Sequence, residues 1–584
     1  MLGRSERAYL LAYLGTWTLI PLLWGALWWF RSTDGWWLSI LGGSLAVFAS
    51  LGLAVLPFVL LIAVPTILIL EWLAGHKLSL RLTLATASGL FLAALSAPLN
   101  WHAVHWIAYL PMFWVLREET PRSNRWFSYI FGVAAVACIF RWIADTIAFF
   151  SNIPMPGAIA ILVLFAAVFG APYLALWASV HPLRKRLGDL WIVAFPSLLV
   201  VIEWLSSHLL LFPYQQGVTQ YRFPFTFQLA SITGVWGLSW LVMFFNTTFA
   251  EGIYRRREGR PFPTHWVAYA IIVFSLNVFF GAWRFEQIES SLRKSDILRV
   301  AQIQSSMSMA ERLSTHPKVT FDWWVTKSKE IPPGTVDVVI WSEGAAPFSL
   351  QQPKAAKVFK KIATEGQFEM IVGGGARERV PGSDKKTGSV SFNSVYFVDK
   401  KGDVTERYDK MVPLPFGEYL PFHGTRLAFL FDWIEGVGDF RAGEKPILLK
   451  GEKYKFATPI CYEAILSSVC RKFDHPDLLV TVTNDAWFGD TGEQQQHAML
   501  AAIRATELGT PLVRSGYTGV SFVVEPHGII HSETKPFTEV SQVATVRMAT
   551  FPTLYARFGN WFVAVCALFL VGSYVGAPKL RIQP

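Results

Sequence analysis

FATPICYEAIL, residues 456–466, decides how the polar half of this chain is read. Phe456 to Ile460 form a short run of strand character that stops at Cys461, and a helical pattern follows from Glu463 to Lys472. A cysteine at a strand-to-helix turn lies where the first backbone N–H groups of the helix point outward. Such a position is expected to lower the thiol pKa and to offer hydrogen bonds to an oxyanion. A lone cysteine in an apolar setting is more often a packing residue, so its surroundings decide between the two readings.

Two other stretches share the design. VVIWSEGAAP, residues 338–347, runs as a strand into Glu343 and then meets Gly344 and Pro347. Glu343 would leave the C-terminal edge of a sheet, where α/β proteins place reactive groups. RYDKMVPLPFGEYLPF, residues 407–422, carries Lys410 at its strand end. A lone lysine is usually a solvated charge, but this aromatic and proline-rich setting implies a loop folded over a pocket. An ammonium there stabilises both thiolate and tetrahedral oxyanion.

Around these stretches the composition describes a membrane protein. Of 584 residues, 52% are hydrophobic and 16% charged, with 25 Trp and 45 Phe, far from an ordinary soluble domain. The net charge of +10 would suit nucleic acid, but the basic residues gather in short clusters beside apolar stretches, at 184–186 and 255–260. That is the positive-inside pattern, and nucleic-acid binding is set aside.

Stretches long enough to cross a bilayer lie near 9–30, 37–73, 82–97, 102–116, 127–148, 157–180, 190–211, 228–250, 265–284 and 561–577. The first follows Arg4 and Arg7 without a small-residue cleavage site, so it is expected to stay as an anchor. The long run 37–73 holds Gly52, Pro57 and Pro65 and is either one kinked crossing or two elements. Counted as one crossing, it leaves every basic cluster on one side, which the charge rule favours. The polar region 296–550 then lies on the opposite side. Its alternating short strands and helical patterns predict one α/β domain large enough to bury its own core. The expected segments are an N-terminal extension (1–78), a helical bundle (79–290), the polar domain (296–550) and a C-terminal helix with a short tail (558–584).

The four cysteines form no disulfide scaffold and no metal-ligand spacing, so no metal and no cofactor are expected. Cys138 and Cys566 fall in apolar spans, and a bridge between Cys461 and Cys470 would disable a nucleophile, so Cys470 is read as packing. Two placements fit Glu203, an acid within an apolar stretch: the bundle interior or active-site mouth, and a helix end near the interface.

The order Glu343, Lys410, Cys461 resembles the Glu-Lys-Cys triad of the nitrilase superfamily, with Pro459 to Glu463 matching its nucleophile motif. From about residue 80 onward the chain is similar to the apolipoprotein N-acyltransferase family. That likeness includes Ile202 to Leu205, Phe212 to Tyr214, Gly234 to Leu238, Thr483 to Gly489 and Leu554 to Trp561. It departs at Ser342 and Gly344, where the family generally has Pro and Thr, and at Gln304-Ser305-Ser306, where Gln-Gly-Asn is usual. Residues 1 to about 78 have no counterpart in a typical member.

The resemblance implies a multi-pass α-helical membrane domain joined to an extracytoplasmic α/β nitrilase-like domain, an αββα sandwich. It implies Glu343 as general base, Lys410 as oxyanion stabiliser and Cys461 as nucleophile. Glu418, Glu463 and Tyr462 would be supporting residues, and Trp341, Phe416, Asn484 and Trp487 would line the substrate pocket. His497, Arg504 and Glu507 would shape the pocket, with a Cys461–His497 dyad the lesser alternative. The implied reaction moves an acyl chain from a phospholipid, typically phosphatidylethanolamine, through a cysteine thioester to the N-terminal amine of an apolipoprotein. The implied setting is the bacterial inner membrane, with the catalytic domain in the periplasm and the protein acting as a monomer. A membrane-anchored amidase and a family paralogue with another acceptor are the rival readings.

Overall fold

The computed structural model describes residues 76–117, 121–151, 153–209, 211–379, 389–420 and 438–576. The expected spans at 9–30 and 37–73, nearly all of the N-terminal extension, and Lys579 and Arg581 lie outside the described residues. The chain divides into two compact units, Met1–Thr83 and Leu84–Pro584. The second unit holds both β-sheets and the helices that pack with them.

Among the described residues, twelve strands build two six-stranded sheets. The first has the order β12 (Val540–Met548), β1 (Asp296–Gln304), β2 (Val338–Ala346), β3 (Glu369–Arg379), β4 (Ser389–Val398), β5 (Val404–Asp409). The second runs β11 (Ile530–His531), β10 (Phe522–Val524), β9 (Leu512–Gly516), β8 (Leu478–Thr483), β7 (Lys455–Ala457), β6 (Leu449–Lys450). Each has a parallel centre, β1–β2–β3 in one and β7–β8–β9 in the other, with antiparallel strands outside it. Parallel strands covered on both faces carry near-continuous apolar runs, and β2 does so from Val338 to Trp341. Its Val338 and Ile340 join the core shared with Phe456, Leu478 and Val480 of the second sheet. Val339 and Trp341, one residue out of phase, pack with Phe321, Trp324 and Phe359 of the covering helices Pro317–Lys329 and Pro353–Gly366. The helix Glu493–Leu508 covers the other sheet. This is the αββα sandwich.

The sandwich is inserted between two apolar helices. Thr264–Leu292 leads into β1, and Trp561–Gly576 follows β12. The apolar core continues from between the sheets into the bundle through Val218, Trp236, Leu238, Tyr555 and Val563. At the centre of the bundle, Val235–Arg257 buries Asn246, Thr247, Thr248 and Glu251, all of which bond to neighbouring groups. Helices farther out show Leu164, Val163, Leu276 and Phe279 on their surface. Apolar surface of this extent needs lipid rather than water around it.

Among the described residues, Met155–Leu209 and Thr264–Leu292 are long and apolar enough to cross a membrane. The expected single span at 127–148 is instead two helices, Arg122–Ile139 and Trp142–Phe150, bent by 57° at the break. The stretches at 82–97, 102–116 and 561–577 form shorter apolar helices. Two of the basic clusters meet: Arg184 and Arg255 both pair with the buried Glu251, 2.8 and 2.9 Å away. Both clusters, in the last turns of the helices Val180–Leu187 and Val235–Arg257, therefore lie at one end of the bundle. Glu203 is buried inside the bundle, where its Oε1 accepts from the Gln216 backbone N–H at 2.8 Å.

Candidate active site

The C-terminal ends of β2, β5 and the segment after β7 bring Glu343, Lys410 and Cys461 into one electrostatic cluster. A register shift in the β2–β3 pairing between Trp341 and Ala346 lets the strand turn its last residues, with Gly344 at φ +64° directly after Glu343. Glu343 Oε2 accepts from the Asn484 backbone N–H at 2.7 Å, and Oε1 accepts from Asn393 Nδ2 at 2.7 Å. The other acceptor of Asn393 Nδ2 is Glu418 Oε1 at 2.5 Å, so a single amide spaces the two carboxylates. Lys410 Nζ lies 2.7 Å from Glu418 Oε2 and 3.6 Å from Glu343 Oε1.

Burial works to lower the Lys410 pKa, but Glu418 and Glu343 overcome it and hold the ammonium above the ordinary lysine range. Cys461 behaves oppositely to the strand-to-helix expectation. Burial, then Glu343, push its thiol well up, with Lys410 opposing them. The local backbone explains the difference. No long helix starts at Cys461: a 3-10 turn, Cys461–Ile465, is followed by one turn of α-helix, Ser467–Cys470. The helix-end field is therefore weak, and two carboxylates face one ammonium. Both effects favour the neutral thiol over the thiolate.

Cys461 holds φ +50°, a left-handed conformation that a non-glycine residue adopts only under local constraint. Two contacts fix it. Glu463 accepts from the Ile460 N–H at 2.9 Å, and a His497 ring nitrogen, Nε2, lies 3.2 Å from the Cys461 carbonyl oxygen. His497 thus bonds the backbone of the cysteine. Its Nδ1 lies 2.9 Å from Asp485 Oδ1, and Asp485 Oδ2 accepts from the buried Arg514 at 2.6 Å. Burial opposes ionisation of Asp485, but Arg514 and His497 hold its carboxyl well below the usual carboxylate range. Donor atoms of Cys461, Asp485 and His497 approach within 4.8 Å of one another. Asp485 and His497 are already committed to each other, to Arg514 and to the Cys461 carbonyl, which fits a brace better than a metal site.

The supporting residues divide by task. Glu418 touches Lys410 directly. Glu463 accepts from the Met411 and Val412 N–H groups at 2.7 and 3.0 Å and from the Tyr408 hydroxyl at 2.9 Å, so it ties the Lys410 loop to the Cys461 turn. The Tyr462 hydroxyl donates to the Leu211 carbonyl of the helical bundle.

The pocket beside Cys461 differs from the expected one. Phe140, Trp142, Phe212 and Pro213 of the bundle form one wall, facing Leu414, Tyr462, Phe488 and Glu493 of the sandwich. Trp341 is not among them: strand alternation turns it into the aromatic core, where its Nε1 donates to Ser328 Oγ at 2.8 Å. Trp487 packs on Phe150 with ring centroids 5.2 Å apart, and its neighbour Phe488 lines the pocket. Asn484 contributes its backbone N–H to Glu343, while its side chain accepts from Ala486. Phe416 sits in the turn beside the pocket at φ +64°, with Leu414 as the lining residue. Asn393, Glu493 and Asp485 had no singled-out role in the sequence reading. Only Asp485, two residues before Trp487, stood inside a recognised motif.

Residues 88–248 match the family model described as apolipoprotein N-acyltransferase N-terminal domain, and residues 298–552 match carbon-nitrogen hydrolase. A protein of Brucella melitensis called apolipoprotein N-acyltransferase is 31% identical over 381 residues, 62% of this chain and 70% of that protein. The chain belongs to the apolipoprotein N-acyltransferase family. A relative of the same name from Geobacter metallireducens is 29% identical over 496 residues, 83% of this chain and 92% of its own length. Among solved structures, a CN-hydrolase superfamily protein from Xanthomonas campestris is 16% identical, with 48% of this chain and 98% of that one covered and a TM-score of 0.32. The family assignment makes the chain an acyltransferase on a carbon-nitrogen hydrolase framework.

Proposed function

We propose that this acyltransferase N-acylates lipoproteins in two steps through a thioester on Cys461. Glu343 takes the Cys461 proton, and the thiolate attacks the sn-1 ester of a phospholipid such as phosphatidylethanolamine. Lys410 stabilises the tetrahedral oxyanion, and Glu343 returns the proton to the departing lysophospholipid oxygen. The α-amine of a diacylglyceryl-cysteine N-terminus then attacks the thioester carbon, an amide forms, and the sulfur leaves as thiol. A resting neutral thiol suits this cycle, because the base that removes the proton is the group that later supplies it.

The observation that carries the reading is the shared pocket: the Cys461 turn is faced by Phe140, Trp142, Phe212 and Pro213 from the helical bundle. A soluble amidase would have no use for an apolar wall supplied by membrane helices. Donor and acceptor both keep their acyl tails in the bilayer, so the chemistry must occur where those tails reach. The basic loops around 184–186 and 255–260 would face the cytoplasm, and the sandwich the periplasm. The test is incubation of the purified full chain with phosphatidylethanolamine and a diacylglyceryl-cysteine peptide. The reading requires a peptide heavier by one acyl group at its amine, and its persistent absence would defeat it.

A further inference from the structure

Glu493 opens the helix Glu493–Leu508 and lines the pocket together with Cys461. It is 7% exposed, and its Oε2 has no hydrogen-bond partner among the described residues. Its Oε1 lies 3.7 Å from His497 Nδ1, and a His497 nitrogen comes within 4.8 Å of the Cys461 sulfur. A buried carboxyl oxygen left without a partner is costly unless something else supplies one. The triad chemistry above gives this group no task.

We propose that the Glu493 carboxyl receives the N-terminal ammonium of the acceptor beside the Cys461 thioester and takes its first proton. The inference rests on the thioester reading. An amine attacks only as its free base, yet the acceptor arrives as an ammonium. As the ammonium docks, the neutral Glu493 acid releases its proton to water; the carboxylate so formed pairs with the ammonium and takes one of its protons, leaving a neutral acid and a neutral amine. The nitrogen lone pair then forms the C–N bond and the C–S bond breaks. The second amine proton passes through Glu343 to the Cys461 sulfur. Glu493 ends the step as the neutral acid it began as, so the site is reset.

Two features equip Glu493 for this exchange. Burial, then Asp485, push its carboxyl well above the ordinary range, with Arg514 opposing them, so it accepts a proton readily. Its place in the first helical turn keeps the anion attainable when a cation arrives. The ethanolamine headgroup of the donor carries the same primary ammonium. That group is separated from the reacting ester by glycerol and phosphate, whereas the acceptor nitrogen must touch the thioester carbon. Glu493 shares a small pocket with Cys461, which favours the acceptor.

The test compares half-reactions of the full-length protein and its Glu493→Gln and Glu493→Asp variants. Acyl-adduct formation is timed with phosphatidylethanolamine and with phosphatidylglycerol, which has no amine. Discharge is timed with a diacylglyceryl-cysteine peptide. Glu493→Gln should form adduct from both lipids at rates close to the parent and discharge it roughly tenfold to a hundredfold more slowly. Glu493→Asp should recover part of that loss. Discharge at the parent rate overturns the proposal, and so does an equal loss in every half-reaction, which is the mark of a packing role. Slowing confined to adduct formation from phosphatidylethanolamine overturns it in favour of a headgroup contact. A parent protein that forms no adduct at all brings down the thioester reading itself, and this inference with it.

Discussion

Lys410 Nζ stands 2.7 Å from Glu418 Oε2, almost an ångström nearer than the 3.6 Å that separates it from Glu343 Oε1. The closer carboxylate neutralises the lysine. Asn393 spaces Glu343 from Glu418, and the Asn484 N–H holds it, the placement that the proposed general base requires. Glu418→Gln should turn Lys410 toward Glu343 and make that base weaker. Adduct formation in stopped reactions should fall by about tenfold to a hundredfold, with the fold retained. An unchanged rate would mean that Glu418 does not set the Lys410 position.

Asn393→Ala tests the same spacing from the other side. Its loss leaves Glu343 and Glu418 without the donor that separates them, and a buried acceptor that loses its partner costs about 1–3 kcal/mol. Activity should drop at least as far as stability allows, measured as acyl transfer beside thermal unfolding. A fully active variant would demote the amide to a bystander.

Buried Cys470 gives a contrast with Cys461. Its sulfur is 3.5 Å from the Glu463 carbonyl oxygen, and burial pushes its thiol up to about 12. Cys470→Ala should keep transfer activity and lose about 1–2 kcal/mol of stability from a small cavity. Cys461→Ala should keep stability and lose transfer.

Asp485→Asn leaves the fully buried Arg514 without its anion and should cost about 3–5 kcal/mol. The parent's dependence on pH follows from the sign of the shift. Because the folded-state pKa of Asp485 lies below its unfolded value, its contribution is present above the ordinary carboxylate range near 3.8 and is lost as pH falls below it. Thermal melts of the variant should show less acid-induced loss than the parent over that window. Equal loss would place the acid sensitivity elsewhere.

Gly373 of β3 has no room for a side chain: a Cβ there would lie 2.3 Å from the Ser342 carbonyl oxygen and 2.8 Å from the Glu343 Cα. Gly373→Ala must push the strand end that carries Glu343. The expected cost is about 1–3 kcal/mol, with a larger loss of activity than other strand substitutions of equal cost.

Glu343 and Cys461 were legible as candidates because each ends a strand run rich in apolar residues, VVIW and FATPI, whereas Lys410 follows the polar run TERYD and stood out only by the proline- and aromatic-rich segment after it. Trp341 misled because both faces of β2 are covered, and a run apolar at every position from Val338 to Trp341 does not announce which face is which. Asn393 was invisible for another reason. It sits in mid-strand, and only the antiparallel β3–β4 register, with Gly375 opposite Asn393, brings its amide toward the two glutamates. In the bundle, hydropathy merged Arg122–Ile139 and Trp142–Phe150 into one span because the bend contains no proline or glycine to mark it. Gln496 holds that bend from the sandwich, accepting from Trp142 Nε1 and donating to the Ile139 carbonyl at 3.2 and 3.0 Å. A contact between residues some 350 positions apart leaves no local trace in sequence.

A covalent acyl group on one sulfur is the proposed intermediate, and intact-protein mass spectrometry after brief exposure to phosphatidylethanolamine reads it directly. The expected result is a mass gain of one acyl chain, mapped to Cys461, absent from Cys461→Ala and discharged when a diacylglyceryl-cysteine peptide is added. Transfer to the peptide by a protein whose Cys461 never carries the acyl group would contradict it.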